Sequence, residues 1–182
     1  MTYKQIDIQS SYKENDLGQT LYNQVIRYKP NKIIDFGILY GYSTVALAQA
    51  CKDINTGTVY AYDIFSDYKY NHSVKQIVET NVFNYNVEAY VKIKHMDFYE
   101  WLKTDEDFDM LHLDISNDGN IINTIYNKFK DTNKIIIFEG GIRARDDVPW
   151  MVEHKKTPIR NHLAKYNIID TRFPSISRLN LK

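Results

Sequence analysis

Acidic residues recur along the sequence at the ends of short apolar runs. They are Asp35, Asp63, Asp97, Asp114 and Glu139. Grouped carboxylates accept hydrogen bonds, take up protons and bind cations, but they repel one another unless a ligand or an ion balances their charge. A single aspartate would carry less weight, because Asp also caps helices. As a set, these residues predict a ligand site that combines proton transfer with polar recognition.

The loop after the first apolar run carries glycine at two positions, Gly37 and Gly41, in the pattern Asp-x-Gly-x-x-x-Gly. Glycine lets a ligand approach the backbone closely, and a helix that begins near Ser43 would direct its free N–H groups at that ligand. The spacing differs from the Gly-x-Gly-x-x-Gly of dinucleotide sites, and no Gly-Lys of a phosphate-binding loop follows. Asp63 ends the next apolar run, where an acidic residue accepts hydrogen bonds from ribose hydroxyls.

These residues need a framework, and the hydrophobic pattern predicts one. Strands are predicted at residues 32–36, 58–63, 89–95, 108–114, 134–138, 167–172 and 175–181, and helices at 17–28, 44–52, 71–85, 98–103, 120–129 and 158–166. This alternation indicates an α/β fold with a mostly parallel sheet and helices on both faces. Only two residues separate the last two predicted strands, so these strands should pair antiparallel. Ligands bind beyond the carboxyl ends of parallel strands, which collects the acidic residues at one edge.

Composition limits the class of protein. The 182 residues fit a single domain, with a helical lead-in at 1–29 and the α/β core at 30–182. Lys and Arg number 23 and so do Asp and Glu, whereas a protein that binds nucleic-acid phosphates usually carries a basic excess. The chain has one cysteine, no apolar leader and no apolar run approaching the ~20 residues of a membrane span. We therefore expect a cytoplasmic protein without nucleic-acid or membrane partners.

The stretch Ile-Ile-Asp-Phe-Gly-Ile-Leu-Tyr-Gly-Tyr-Ser-Thr at 33–44 resembles the first motif of class I S-adenosylmethionine-dependent methyltransferases, most of all the small-molecule O-methyltransferases. Residues 28–32 resemble the segment that precedes this motif in the macrocin O-methyltransferase and cephalosporin hydroxylase-like group. The resemblance extends in element order over 17–181. It implies a Rossmann-like, doubly wound sheet of about seven strands with an antiparallel C-terminal strand. It also implies methyl transfer from S-adenosylmethionine to a small-molecule acceptor, at a hydroxyl oxygen.

The resemblance also implies a set of cofactor contacts. They are Asp35, Gly37, Gly41, Tyr42, Ser43, Asp63, Ile64, Asp97, Phe98 and Asp114. Asp63 matches the residue that binds both ribose hydroxyls, and Asp97 matches the residue that faces the adenine amino group. Tyr42 and Ser43 would stand near the methionine carboxylate, and Asp114 near the reacting methyl group.

A hydroxyl acceptor benefits from a base, and the candidates are Asp114, Glu139, His72 and Asp118. Metal-dependent members of the family carry a second ligand directly after Glu139, where this chain has glycine. Asp114 and Glu139 are nevertheless candidate ligands for Mg²⁺, with Asp118 as a further contributor, and the use of a metal stays open. His72 has an alternative interpretation as an exposed residue at a helix start. His112, in mid-strand, is expected to be buried and hydrogen-bonded.

Arg143 and Arg145 follow the fifth predicted strand in a loop that also holds Trp150. Their guanidinium groups suit a carboxylate or phosphate on the substrate; the alternative is a charged surface loop that Trp150 anchors. Two other functions stay open: a protein that binds or cleaves the cofactor without a methyl acceptor, and a Rossmann-like interaction module without a ligand. The identity of the acceptor and the existence of a homodimer are also left open by the sequence.

Overall fold

The structure, a computed structural model, describes residues 2–182. Its strands are β1 (Lys32–Phe36), β2 (Thr58–Asp63), β3 (Val91–His95), β4 (Met110–Leu113), β5 (Ile135–Glu139), β6 (Tyr166–Asp170) and β7 (Ile176–Leu179). Its α-helices are α1 (Gly18–Tyr28), α2 (Tyr42–Ile54), α3 (Lys75–Asn84), α4 (Phe98–Leu102), α5 (Gly119–Phe129), α6 (Arg143–Asp146) and α7 (Pro149–Glu153). Within this part of the chain, no helix is both long and apolar enough to cross a bilayer.

The strands form one sheet in the order β3-β2-β1-β4-β5-β7-β6. Strands β1 to β5 are parallel, whereas β7 runs antiparallel to both β5 and β6. The predicted Rossmann-like sheet and its antiparallel C-terminal strand are therefore confirmed. The strand order reverses between β1 and β4, and a crevice opens at such a switch point beyond the carboxyl ends of the strands.

Alternation along the strands builds a core on each face of the sheet, because successive side chains point to opposite sides. Ile33 of β1 packs in one apolar cluster with Val45 of α2. Ile34 of β1 packs in the other with Trp101 of α4 and Ile125 of α5. All five of these side chains are at most 2% exposed, so the strands are buried on both faces and the sheet is a rigid platform for the residues at its edge.

Several predicted boundaries differ from the structure. The helix predicted at 71–85 begins only at Lys75, after an extended Val74. The helix predicted at 158–166 is a 3₁₀ segment at Ile159–Lys165, interrupted at His162. The loop predicted after β5 contains α6 and α7, and α7 begins with Pro149, whose fixed φ suits the first helical position. These differences all lie in the segments that connect β2 with β3 and β5 with β6.

Candidate active site

A cavity of about 730 Å³ lies at the carboxyl ends of the parallel strands. Each of the five parallel strands contributes to its lining, through Asp97, Asp63, Gly37, Asp114 and Glu139 in the spatial order β3, β2, β1, β4 and β5. The volume is in the range of small-molecule sites. The structure thus brings together four of the acidic residues that the sequence singles out.

Asp35 is the exception, since its side chain lies beneath the cavity with no exposed surface. Its carboxylate accepts hydrogen bonds from Ser43 Oγ at 2.9 Å and from Thr44 Oγ1 at 2.7 Å. The same carboxylate lies 2.7 Å from Nδ1 of His112, whose Nε2 is 3.1 Å from the Tyr12 hydroxyl. His112 is fully buried and hydrogen-bonded, as expected. Asp35 therefore fixes the start of α2 against β4 and does not line the cavity.

The glycine loop brings two strand ends close together. Gly37 has a φ of +80°, and a Cβ there would lie 2.1 Å from the backbone oxygen of Asp114, so only glycine fits. Gly41, with a φ of +91°, precedes the first residue of α2. The Tyr42 ring is buried, and its hydroxyl donates to Asp16. Gly41, Tyr42 and Ser43 are not among the residues that line the cavity, so the cofactor contacts that the resemblance implies for them stay a prediction.

The acidic residues at β2 and β3 are held by backbone donors. Asp63 accepts hydrogen bonds from the backbone N–H groups of Leu39, at 3.2 Å, and Phe65, at 2.7 Å. Asp97 caps α4 by accepting from the N–H groups of Tyr99 and Glu100, so it is a helix cap and a cavity residue at once. Apolar residues of the same strand ends complete this half of the lining, and they are Ile64, Met96 and Phe98.

Asp114 and Glu139 form a carboxyl pair at the ends of β4 and β5. The Glu139 side chain is 2% exposed; its Oε1 lies 2.7 Å from Arg145 Nε, and its Oε2 accepts a hydrogen bond from Ser11 Oγ at 2.8 Å. Burial, and after it the neighbouring Glu139 charge, raise the pKa of Asp114 well above its usual range, and the Arg145 charge opposes this rise. Once ionised, a carboxylate of raised pKa is a stronger base, which suits proton removal from a hydroxyl.

The raised pKa predicts a pH-dependent stability difference for Asp114→Asn. Between the pKa of an unfolded aspartate and the raised pKa of the fold, the folded state holds a proton that the unfolded state has released. Asp114 therefore stabilises the fold at low pH, and this contribution is lost as the pH rises through the folded-state pKa. The melting temperature of Asp114→Asn should therefore rise relative to that of the parent as the pH increases above about 4.

The control for this measurement is Asp105→Asn at an exposed position, which should show no such trend. A constant difference between Asp114→Asn and the parent at every pH would contradict the raised pKa of Asp114.

Residues 34–148 match the family model described as a methyltransferase domain, which is more than half of the chain. The chain belongs to this methyltransferase family. No curated protein matches the sequence of this methyltransferase.

Solved structures share the methyltransferase fold at low sequence identity. An O-methyltransferase from Bacillus cereus in complex with S-adenosylhomocysteine is 16% identical with a TM-score of 0.62, the match covering 98% of this chain and 84% of that one. The O-methyltransferase TomG from Streptomyces achromogenes, in complex with S-adenosylmethionine, is 14% identical with a TM-score of 0.61 and coverages of 94% and 86%. The S-adenosylhomocysteine-bound methyltransferase PaMTH1 from Podospora anserina is 14% identical with a TM-score of 0.63 and coverages of 96% and 80%.

The structure separates the two arginines of the methyltransferase. Arg145 lines the cavity, but its guanidinium is engaged by Glu139 and by the side-chain oxygen of Asn117. Arg143 does not line the cavity, because its side chain is 84% exposed and pairs with Asp147. The surface-loop alternative describes Arg143, and neither guanidinium is wholly available to an anionic substrate.

Other cavity residues come from the loops after β2 and β5. His72 is exposed and lines the cavity, with its Nδ1 2.8 Å from the backbone oxygen of Tyr70. Trp150 packs against His154 at 4.8 Å and against Tyr70 at 6.3 Å between ring centroids, and Lys156 Nζ lies 5.6 Å from the Trp150 ring centroid. Tyr70, His154 and Lys156 are cavity residues that no local sequence motif marks, because they meet only when two distant loops cover the same edge of the sheet.

The residues present do not fit the octahedral oxygen shell of Mg²⁺. Within residues 2–182, no group of three or more His, Cys, Asp and Glu side chains is arranged to hold a metal ion. Both carboxylate oxygens of Glu139 are engaged by protein donors. Asp118 instead caps α5 by accepting from the N–H of Asn120.

Proposed function

We propose that the protein transfers a methyl group from S-adenosylmethionine to a hydroxyl oxygen of a small molecule. The observation that carries the proposal is the single cavity in which Asp97, Asp63 and Gly37 lie beside Asp114 and Glu139. Solved methyltransferases of the same fold hold S-adenosylmethionine or S-adenosylhomocysteine, which supports the choice of cofactor.

The lining over β1, β2 and β3 has the chemistry that an adenosine group needs. Asp63 offers carboxylate oxygens to the ribose hydroxyls, and Asp97 offers an acceptor to the adenine amino group. Ile64 and Phe98 supply apolar contacts for the ring. When bound, S-adenosylmethionine supplies an activated methyl group on a cationic sulfur, so the protein has to position the acceptor and manage its proton.

The lining over β4 and β5 is assigned to the acceptor. We place the acceptor hydroxyl at Asp114, which would take up its proton, while bound S-adenosylmethionine would supply the methyl group and leave as S-adenosylhomocysteine. Glu139 and Arg145 set the charge around Asp114, and His72 stands at the exposed rim as the second candidate base. Trp150 and Tyr70 supply an aromatic wall that excludes water from the reacting atoms.

We further propose that the enzyme is cytoplasmic. Cys51 is the one cysteine of the sequence and is buried in α2, so the chain forms no internal disulfide and suits a reducing compartment. The equal numbers of acidic and basic residues support a small-molecule partner over a nucleic acid.

The test is calorimetric titration of the purified chain with S-adenosylmethionine and with S-adenosylhomocysteine. Both should bind, and Asp63→Ala should lower both affinities about 10- to 100-fold, as expected when a charged hydrogen-bond acceptor is lost. The matched control is Asp67→Ala on the same loop, whose carboxylate pairs with His95 outside the cavity lining; it should bind like the parent.

Failure of the folded parent to bind either compound would reject the proposed cofactor. Equal losses in Asp63→Ala and Asp67→Ala would reject the ribose assignment alone. Release of S-adenosylhomocysteine that depends on an added hydroxyl compound separates methyl transfer from cofactor binding or cleavage without an acceptor.

A further inference from the structure

The environment of Glu139 shows a positive charge already built into the acceptor half of the cavity. Glu139 is almost fully buried, and Arg145, which is 15% exposed, places its Nε 2.7 Å from Glu139 Oε1. The other carboxylate oxygen accepts a hydrogen bond from Ser11 Oγ at 2.8 Å. Both oxygens of Glu139 are thus occupied by donors that belong to the protein.

Asn117 holds Arg145 in this position. Its side-chain oxygen accepts a hydrogen bond from an Arg145 terminal nitrogen, and its amide nitrogen donates to the backbone oxygen of Glu139 at 2.9 Å. Asn117 is 4% exposed, so it is a fixed part of the cavity wall. The side-chain oxygen of Asn117 is therefore directed at the guanidinium and not at an ion.

The path of the chain after β5 explains how Arg145 comes to lie beside Glu139, the last residue of that strand. Gly140 and Gly141 follow β5 with φ values of +103° and +108°, a conformation that glycine adopts readily. The turn leads into α6, which carries Arg145 back over Glu139 while Arg143 on the same helix points into solvent.

We propose that Arg145 supplies, as a fixed internal cation, the positive charge that a divalent metal would otherwise provide beside Asp114 and Glu139, so that the site works without a bound metal. Magnesium requires about six oxygen ligands in octahedral array. Here the guanidinium instead donates hydrogen bonds to Oε1 of Glu139 and to the side-chain oxygen of Asn117. Guanidinium is permanently charged and its planar fork matches a carboxylate. The role of this charge in methyl transfer rests on the proposed function; the exclusion of a metal from the carboxyl pair does not.

The experiment compares metal binding by the parent, Arg145→Ala and Arg143→Ala. Manganese(II) is the probe, followed by its electron paramagnetic resonance signal and by the melting temperature of each protein. The parent and the Arg143→Ala control, which changes the exposed arginine of the same helix, should bind no manganese at this site. Arg145→Ala should acquire manganese binding that disappears in the double variant Arg145→Ala, Asp114→Asn.

Activity gives a second readout. Release of S-adenosylhomocysteine by the parent with a hydroxyl acceptor should be unchanged by EDTA. Arg145→Ala should lose about 10- to 100-fold, the value expected when a charged hydrogen bond is removed, and should recover part of the loss when Mg²⁺ is added.

Two results would overturn the inference: manganese binding by the parent that Asp114→Asn removes, or loss of the parent's activity in EDTA. An Arg145→Ala protein that folds but binds no manganese would also overturn it, because the carboxyl pair would then have no affinity for a cation. If Arg145→Ala does not fold, Arg145→Gln serves as the variant and the parent's response to manganese and EDTA still decides. The proposed function is tested separately: if the folded protein does not bind S-adenosylmethionine, that function is rejected, but the manganese measurements can still be interpreted.

Discussion

Replacing Gly37 by alanine is expected to destabilise the fold by about 3 kcal/mol or more and to abolish S-adenosylmethionine binding. The new Cβ would lie 2.1 Å from the backbone oxygen of Asp114 and 2.5 Å from its carbonyl carbon. Backbone cannot move aside as a flexible side chain does, so the ends of β1 and β4 must separate where the two halves of the cavity meet. Urea unfolding measures the loss of stability, and calorimetry measures the loss of binding.

Gly41→Ala is the matched control for this prediction. Its φ of +91° imposes the same kind of backbone strain, but the nearest atom to its Cβ is Cγ1 of the Val78 side chain, at 3.0 Å. It should therefore cost only about 1–3 kcal/mol, the strain of a non-glycine residue at positive φ. Equal losses in the two variants would show that the close approach of the strands at Gly37 is not the reason for its glycine.

Asp35→Ala is expected to lower the free energy of unfolding by about 3 kcal/mol or more, because it leaves several buried groups without their partner and each such loss costs about 1–3 kcal/mol. His112, Ser43 and Thr44 would all lose their acceptor in a region without solvent. Because these contacts fix the start of α2, the affinity for S-adenosylmethionine should fall as well, although Asp35 does not line the cavity.

Urea unfolding and calorimetric titration test this prediction together. Asp35→Asn, which keeps one acceptor oxygen, should lose less stability than Asp35→Ala. A loss in Asp35→Ala of no more than about 1 kcal/mol, the net worth of one ordinary hydrogen bond, would show that the buried network around His112 has another source of stability.

The sequence predicts the framework well because the strands are buried on both faces. A strand such as Ile135–Glu139 must be apolar along its length, and that run is visible without any tertiary information. The glycine loop can also be predicted from local sequence, because a positive φ favours glycine and the loop has glycine at both such positions, Gly37 and Gly41. The antiparallel end of the sheet follows from the short link between β6 and β7.

The position of Asp35 shows where sequence reasoning fails. Asp35 lies inside β1, whereas Asp114 follows the last residue of β4. The position of each carboxylate relative to the end of its strand decides whether it reaches the edge of the sheet. Asp35 stands directly beside His112 in the register of β1 and β4. Register between strands far apart in sequence cannot be read from either strand alone.

The sequence could not distinguish the roles of the two arginines, and the reason is different. Arg143 and Arg145 are two positions apart on a helix of only four residues, which is too short for a periodic pattern to distinguish an inner face from an outer one. The choice between them depends on where Gly140 and Gly141 direct the chain.

The insertion of β7 between β5 and β6 bears on the order in which the molecule assembles. Strands β2, β3 and β5 each pair with the strand that precedes them in the chain, and β7 pairs with β6 in the same way, but β4 pairs with β1 and β7 also pairs with β5. Glu139 is itself opposite Ile176 in that pairing. Contacts between distant segments form late because closing a long loop costs entropy. We therefore expect the β1–β4 and β5–β7 pairings to form after the local ones, so that the two halves of the crevice, on β1 to β3 and on β4 and β5, join late in folding.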